Sequence, residues 1–445
     1  MFLLTMFSAF AILALLLPAR AELQHCALLG PDIPPPRRPS NSTVFQNAIV
    51  SIQKSISDCI SSGNATFGMM DASSTSFSVD IFSQHEESLL DYHWDAPGLA
   101  NSTEGVKEID SHSLYRIGSI SKLLTVYIFL ISVGDSTFNE PITKYIPELA
   151  TYFALNPASN NEIDITDWSS VTIGSLTSHL GGIPLGGAGD ARADPADAMY
   201  LPPGVPLPTI ISPIPGNISD DGCLNVAVSP CTRTAFFESI TLAHPGLAPF
   251  HGPKFTTLFE ENFILPLGLN ETYYSNAPIS QGVISHNDSV AVFSEDLIFI
   301  DPAGSYYSSS NDLRKIGQSI LGSKLLSPAQ TRRWMKPSTF KANDDMLVGA
   351  PWEIFKAPAS SGGKTSWMYT KAGHIGLYYS NFFLLPDWDI GFTVLVAGDD
   401  AVLVNTVISD IIAAIAIPAL EAAAKKPIPP ISALTPPMSI TPTKR

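Results

Sequence analysis

The chain has few charged residues and no strongly basic segment. Only 15% of its 445 residues are charged, the formal net charge is −16, and no basic run before the C-terminal tail is longer than Arg37-Arg38. Nucleic-acid surfaces need clustered lysine and arginine, so this composition argues against nucleic acid as a partner. Hydrophobic residues make up 45% of the chain, which is enough for a sizeable core. The composition therefore predicts a globular protein of one large domain or two ordinary ones.

Metal-binding motifs are also absent from the sequence. It contains no Cys-x-x-Cys, no His-x-x-x-His and no evident carboxylate cluster, so we expect neither a metal nor another cofactor. Cysteine is rare, with four in the whole chain. Cys223 and Cys231 flank a proline-containing loop of a length that a disulfide could close, which leaves Cys26 and Cys59 as the other pair.

The N-terminus has the features of a signal peptide. Residues 1–21 form an apolar run that ends in Ala19-Arg20-Ala21, a pattern that signal peptidase cleaves. The alternative is an uncleaved membrane anchor, which is disfavoured because the run before Pro18 is short and lacks a basic start. Six Asn-x-Ser/Thr sequons favour secretion independently. We therefore expect a secreted protein glycosylated at Asn41, Asn64, Asn101, Asn217, Asn270 and Asn287.

Proline-rich stretches mark the two ends of the chain that follows the signal peptide. Residues 22–41 contain Gly-Pro-Asp-Ile-Pro-Pro-Pro and are predicted to be an extended entry segment, because proline fixes φ and removes a hydrogen-bond donor. Residues 42–424 are predicted to form one domain. Residues 425–445 hold two lysines followed by several prolines and are predicted to be a disordered tail.

Hydrophobic periodicity predicts an α+β arrangement within this domain. A segment rich in Pro, Gly and Ala at 186–231 is expected to be a long loop or lid, and the apolar helix near the C-terminus is expected to be a core helix rather than a membrane anchor. The predicted helices cover 43–60, 119–133, 255–265 and 402–424, and the predicted strands cover 67–71, 76–82, 89–94 and two runs joined by a hairpin at 386–389.

The segment 114–122 carries the strongest chemical signal. It contains Ser119 and Lys122 in a Ser-x-x-Lys motif at the start of a nearly all-apolar helix, so that hydroxyl and amine lie on one helix face. Serine is a poor nucleophile without a nearby base, and a partly desolvated lysine can lose its proton and act as that base. The helix N-terminus offers unpaired N–H groups to a developing oxyanion. Ser119 is thus the predicted nucleophile and Lys122 its base.

This segment and four later blocks resemble the serine β-lactamase and penicillin-binding-protein superfamily. The similarity is greatest to the class C and esterase-like branch and to secreted fungal β-lactamase-related proteins. It extends from about residue 64 to residue 424, and the later blocks are 142–149, 171–184, 265–269 and 303–313. The resemblance implies a β-lactamase/transpeptidase-like fold of the α+β class, with an antiparallel sheet flanked by helices and a helical subdomain.

The resemblance also implies roles for a strand opposite the serine. The family has a Lys/His-x-Gly element there, which Lys371-Ala372-Gly373 matches. Lys371 would offer a positive charge to a substrate carboxylate, and Gly373 would let substrate lie against the strand. The amide of His374 would be the second oxyanion donor.

Two departures from the family pattern stand out. Relatives carry a catalytic Tyr-x-Asn before the helix that leads to the Pro-Leu-Gly-Leu block, but here Phe250 runs directly into His251-Gly252-Pro253. Tyr274-Ser275-Asn276 spells the motif beyond that block, where the family has a variable loop, so we predict that it is not catalytic. The proline-rich tail replaces a further β-rich region of relatives. True divergence and a misassigned coding sequence are both open explanations.

Three functions are consistent with these features. The first is a serine hydrolase that cleaves a small ester or amide, with β-lactams included, through an acyl-Ser119 intermediate. The second is an acyltransferase of the same fold, and the third is a non-enzymatic relative that lost turnover with the Tyr-x-Asn element. The hydrolase is favoured because Ser119, Lys122 and Lys371 are all present. No nucleic acid or membrane partner is expected.

Overall fold

The structure is a computed structural model that describes residues 28–30, 33–146, 149, 167–181, 255–285, 289–295, 301–342, 345–357 and 365–425. Several of the predictions fall outside the described residues. These are the signal peptide, the loop at 186–231, the Cys223–Cys231 pair, the sequons at Asn217 and Asn287, and the tail beyond Lys425.

The described residues form α-helices that range from a single turn to 24 residues. In chain order they are α1 (Thr43–Ser61), α2 (Ile120–Ser132), α3 (Ile173–Thr177), α4 (Phe255–Phe259), α5 (Leu265–Leu267), α6 (Ser289–Ser294), α7 (Asp301–Gly304), α8 (Ser310–Leu321), α9 (Pro328–Trp334) and α10 (Ala401–Ala424). A π-helical turn, Glu260–Ile264, joins α4 to α5, and 3-10 turns occupy Pro39–Asn41, Leu99–Asn101, Ser136–Asn139, Ile142–Lys144, Ile279–Gln281 and Pro386–Trp388. Side-chain caps from Thr172, Ser309 and Ser327 start α3, α8 and α9.

One large antiparallel sheet organises the described chain. Its strands are β1 (Thr75–Ser83), β2 (Leu90–Trp94), β5 (Thr339–Phe340), β6 (Met346–Val348), β7 (Glu353–Lys356), β8 (Trp367–Ile375), β9 (Tyr378–Leu385) and β10 (Ile390–Gly398), while β3 (Tyr115–Arg116) and β4 (Tyr307–Ser308) form a separate short pair. The order in the large sheet is β2-β1-β10-β9-β8-β7-β6-β5. The first strand thus inserts beside the last, which joins the two ends of the domain.

Helices cover both faces of this sheet. On β10, Val394 and Val396 face the core shared with α1 and α10, whereas Leu395 and Ala397 face the core shared with α2 and α8. This alternation follows from the period of two in a β-strand. Helix α2 is therefore held in an apolar layer on one face, with α1 and α10 on the other.

Helix α10 is apolar enough and long enough to cross a membrane, with a mean hydropathy of 2.0 in its most apolar window. More than half of that window is buried inside the protein. Within α10, the side chain of Asn405 donates to the carbonyl oxygen of Val394 at 2.9 Å and accepts a hydrogen bond from Asn381. The helix is packed and hydrogen-bonded as a core element, and Pro418 lies within it without ending it.

One strand prediction is wrong. The sequence predicts that residues 67–71 form a strand. Instead, the Asn64 side chain accepts hydrogen bonds from the amides of Thr66 and Phe67, at 2.9 and 3.3 Å, and closes a tight turn that Gly68 ends with φ +83°. Local side-chain hydrogen bonding outweighed β-propensity here.

Candidate active site

A sharp turn presents Ser119 at the start of helix α2. The chain reaches this point from β3, and the amide of Ile117 donates to the carbonyl oxygen of Tyr306 at 3.0 Å. Gly118 then takes φ +50°, a left-handed conformation that glycine adopts without a steric penalty. The hydroxyl of Ser121 donates back to the Gly118 carbonyl at 2.7 Å. Ser119 is the N-cap of the helix and is half-buried.

Lys122 lies one helical turn further on and contacts Ser119 directly. Its Nζ donates to Ser119 Oγ at 2.9 Å and to the carbonyl oxygen of Ala303 at 2.9 Å. The Ser-x-x-Lys spacing thus gives the predicted hydrogen-bonded pair of hydroxyl and amine. The hydrogen bond to Ala303, a residue of α7, could not be derived from the motif.

The surroundings of Lys122 lower the pKa of its amine. Burial lowers the pKa of its amine from 10.5 to about 8, with a further lowering by the positive charge of Lys371 and an opposing effect of Glu353. An amine with this pKa is a competent proton acceptor near neutral pH.

Strand β8 passes very close to the serine turn. A Cβ on Gly118 would lie 2.5 Å from the amide nitrogen of His374, and a Cβ on Gly373 would lie 2.8 Å from the amide nitrogen of Ser119 and would overlap the carbonyl oxygen of Ile117. Gly118 and Gly373 are therefore required by backbone approach. The sequence prediction gave a different reason for Gly373, namely access of substrate to the strand.

The amide of His374 points away from the sheet. Strand β7 pairs with β8 only as far as Thr370, while β9 pairs along the other side of β8 up to Ile375. The amide of Ala372 donates to Glu353 Oε2 at 3.0 Å, so it faces the unpaired side. Amides alternate along a strand, which places the His374 amide on that same side, next to Gly118. The imidazole is exposed, and its Nε2 is 3.0 Å from the carbonyl oxygen of Gly376.

Lys371 is buried and ion-paired, which the sequence did not reveal. The residue is 4% exposed, and its Nζ contacts Glu353 Oε1 and donates to the carbonyl oxygen of Ala372 at 3.0 Å. Glu353 is the first residue of β7, directly across from Thr370. No motif marked it, because the contact depends on strand register across a separation of 18 residues.

His179 lies near both lysines. It has φ +60°, and its pKa is lowered, first by burial and then by the charges of Lys371 and Lys122, while a hydrogen bond with Pro351 opposes the shift. The sequence favours a hydrogen-bonded structural histidine at this position rather than a catalytic one, and this stays a prediction. Across the described ranges no group of three or more His, Cys, Asp or Glu side chains is arranged to hold a metal ion.

Tyr274, which begins the Tyr-x-Asn sequence beyond the Pro-Leu-Gly-Leu block, lies in an aromatic cluster. Its ring centroid is 5.7 Å from that of Phe255, 5.9 Å from that of Phe259 and 5.3 Å from that of Tyr306. Asn276 is exposed, with φ +55°. The prediction that this motif is not catalytic remains to be tested.

The sequon asparagines and the cysteine in the described part of the chain differ in their exposure to solvent. Asn41, Asn101 and Asn270 are exposed, whereas Asn64 is half-buried in the turn described above. Cys59 is fully buried on α1 and is the one cysteine among the described residues. Its predicted partner, Cys26, lies outside the described residues.

A family model described as beta-lactamase matches residues 83–208 and 247–413, which is well over half of the chain. The chain belongs to this family, as the sequence blocks indicated. A beta-lactamase-like protein of Arthroderma benhamiae is 29% identical over 431 residues, which cover 91% of this chain and 69% of that protein. A protein of Phoma sp. that carries the name of a probable hydrolase is 24% identical over 379 residues, covering 78% of this chain and 59% of that protein.

Solved structures support the same assignment at the level of the fold. The D-amino acid amidase from Ochrobactrum anthropi aligns with a TM-score of 0.51 and 16% identity, over 85% of this chain and 99% of that one. This likeness confirms the predicted α+β fold with an antiparallel sheet and flanking helices. The family is one of beta-lactamase-like hydrolases.

Proposed function

We propose that this protein is a secreted serine hydrolase that cleaves small esters or amides through an acyl-Ser119 intermediate. The observation that carries the proposal is the 2.9 Å hydrogen bond between Lys122 Nζ and Ser119 Oγ, made by an amine whose pKa is lowered to about 8. A nucleophile within hydrogen-bond reach of its base is the minimal apparatus for acyl transfer.

In the proposed acylation step, the neutral amine of Lys122 accepts the hydroxyl proton of Ser119 while Oγ attacks the substrate carbonyl carbon. The proton then passes from Lys122 to the departing alkoxide or amine as the bond to the acyl group breaks. Water subsequently hydrolyses the acyl-serine, which releases the acid and restores the hydroxyl. The hydrogen bond to the Ala303 carbonyl keeps the amine aimed at Oγ in the free enzyme.

Two backbone amides are proposed to stabilise the oxyanion. The amide of Ser119 lies at the N-terminus of α2, where the helix dipole favours negative charge. The amide of His374 is on the unpaired side of β8, beside Gly118. Removing one such donor from a hydrolase typically lowers kcat about 10²–10³-fold.

The proposal is tested by labelling with an uncharged fluorophosphonate. The parent protein should be labelled at Ser119, and Ser119→Ala should not be labelled. Ser51→Ala, which removes an exposed hydroxyl from α1, is the matched control and should label like the parent. Labelling of Ser119→Ala at the parental rate would refute Ser119 as the nucleophile. Product analysis with an added alcohol distinguishes hydrolysis from transfer to that alcohol.

Secretion and glycosylation are part of the proposal. The exposed positions of Asn41, Asn101 and Asn270 are compatible with attached glycans. Expression in a eukaryotic secretory host should yield a protein that starts near Glu22 and loses mass on treatment with an N-glycosidase. A secreted protein that retains Met1 and shows no mass loss would refute both points.

A further inference from the structure

The ion pair between Glu353 and Lys371 bears on which acyl donors the site accepts. Resting on the proposed function, we propose that Glu353 makes the site selective for uncharged acyl donors, because it neutralises the lysine that would otherwise bind a substrate carboxylate. Glu353 is then a specificity-determining residue, and the preferred substrates are esters or amides without a carboxylate near the reacting carbonyl.

The contacts of Lys371 leave its charge matched within the protein. The residue is 4% exposed. Its Nζ is engaged by Glu353 Oε1 and by the carbonyl oxygen of Ala372 at 3.0 Å. The second carboxylate oxygen of Glu353 accepts from the Ala372 amide at 3.0 Å, so both oxygens are fixed on the same strand segment. A paired and buried ammonium attracts an anion far less than a free one does.

The charges near Ser119 also disfavour a substrate that carries a carboxylate. The charged groups of the described chain that act on Lys122 are Lys371 and Glu353. Lys122 is neutral in the form that accepts a proton, so it adds no charge to the site. The positive charge of Lys371 and the negative charge of Glu353 then cancel. A substrate carboxylate that approached Lys371 would also approach Glu353, whose side chain is 28% exposed, and like charges repel. The net charge of −16 adds a long-range repulsion of anions.

The experiment compares two esters of similar size, p-nitrophenyl butyrate and p-nitrophenyl hemisuccinate. The acyl chain of the first ends in a methyl group, and that of the second ends in a carboxylate. The rate constant of the p-nitrophenolate burst, after subtraction of the release measured for each ester with Ser119→Ala, reports acylation of Ser119; the subtraction removes the attack of the hemisuccinyl carboxylate on its own ester. The parent protein should acylate with the butyryl ester at least roughly tenfold faster than with the hemisuccinyl ester, as expected where a like charge faces the substrate.

Glu353→Gln keeps the size and the hydrogen-bonding oxygen but removes the charge. It should reduce the butyryl preference by about tenfold or more, because Lys371 then has an unmatched charge. Using the ratio of the two rates cancels any change in the basicity of Lys122. Asp345→Asn is the matched control, since Asp345 forms an exposed pair with Lys356 of β7 at 3.1 Å. It should leave the ratio unchanged.

The outcomes separate this inference from the proposed function. If Ser119 is labelled by the fluorophosphonate but the parent shows no preference, or if Glu353→Gln leaves the ratio unchanged, selectivity by Glu353 is overturned and the hydrolase proposal stands. If Ser119 is not labelled, the proposed function fails and this inference fails with it. The parental ratio requires no variant, so the inference is testable even if Glu353→Gln does not fold.

Discussion

The rate at which an uncharged fluorophosphonate labels Ser119 should rise steeply between pH 7 and pH 9. In the proposed mechanism only the neutral amine of Lys122 can accept the serine proton. With a pKa of about 8, the amine is neutral in about a tenth of molecules at pH 7 and in about nine tenths at pH 9. The labelling rate should therefore rise about tenfold over this interval and then level off.

The assay is a time course of labelling at closely spaced pH values, with the loss of intact reagent measured in parallel. Lys122→Met should label about 10²–10⁴-fold more slowly than the parent and lose the inflection near pH 8, because no positioned base remains. A rate that is flat from pH 7 to pH 9 would show that Lys122 is not the base. A rate still rising steadily beyond pH 10 would show that the amine keeps its ordinary pKa, contrary to the desolvation described above.

Two further predictions concern the residues that build the site. Gly373→Ala should lower the labelling rate by about 10²-fold or more, because the new Cβ would displace the backbone around Ser119, whereas Gly98→Ala, whose Cβ would contact nothing within 4 Å, should label normally. Lys122→Met should increase the free energy of unfolding at pH 7 by about 3 kcal/mol, since a pKa lowered from 10.5 to about 8 means that folding disfavours the protonated amine. This gain should be complete below pH 8 and vanish as the pH rises to about 10.5, which denaturant titration at several pH values would check; an equal gain at all pH values would contradict the electrostatic cause.

The part of the site that could be predicted from sequence is the part set by local geometry. Ser119 and Lys122 lie on one helix, so their spacing alone brings hydroxyl and amine together. Gly373 and His374 were predicted through resemblance to a family, because nothing local indicates which strand faces a given helix. Their approach to Gly118 depends on the packing of β8 against the turn before α2.

Glu353 could not be predicted because its role arises from pairing between distant segments. Its side chain reaches Lys371 only when β7 and β8 pair with Glu353 opposite Thr370. A shift of one residue would direct it to the other face of the sheet. The wrong strand at 67–71 has a different, local cause, because the Asn64 side chain accepts hydrogen bonds from nearby amides and so sets the conformation. Long apolar elements such as α10 were predictable because their burial depends on composition over many residues.

The final prediction concerns deacylation, which requires a group to activate the incoming water. The sequence lacks the Tyr-x-Asn element between Phe250 and the helix that begins at Phe255, and family resemblance assigns the tyrosine to this acid–base work. Acylation retains Ser119 and Lys122. With p-nitrophenyl butyrate we therefore expect a burst of about one p-nitrophenolate per chain, followed by turnover slower by about 10²–10⁴-fold, the usual contribution of one positioned acid–base group.

Inserting a Tyr-x-Asn segment after Phe250 should speed the slow phase much more than the burst, because only the second half-reaction lacks its catalyst. An insert of the same length with phenylalanine in place of the tyrosine preserves chain length and apolar character, so it should leave the slow phase slow. Turnover in the unaltered chain that is as fast as its burst would show that another group activates the water. In that case the missing segment has no bearing on catalysis, whereas the assignment of Ser119 and Lys122 to the first half-reaction is unaffected.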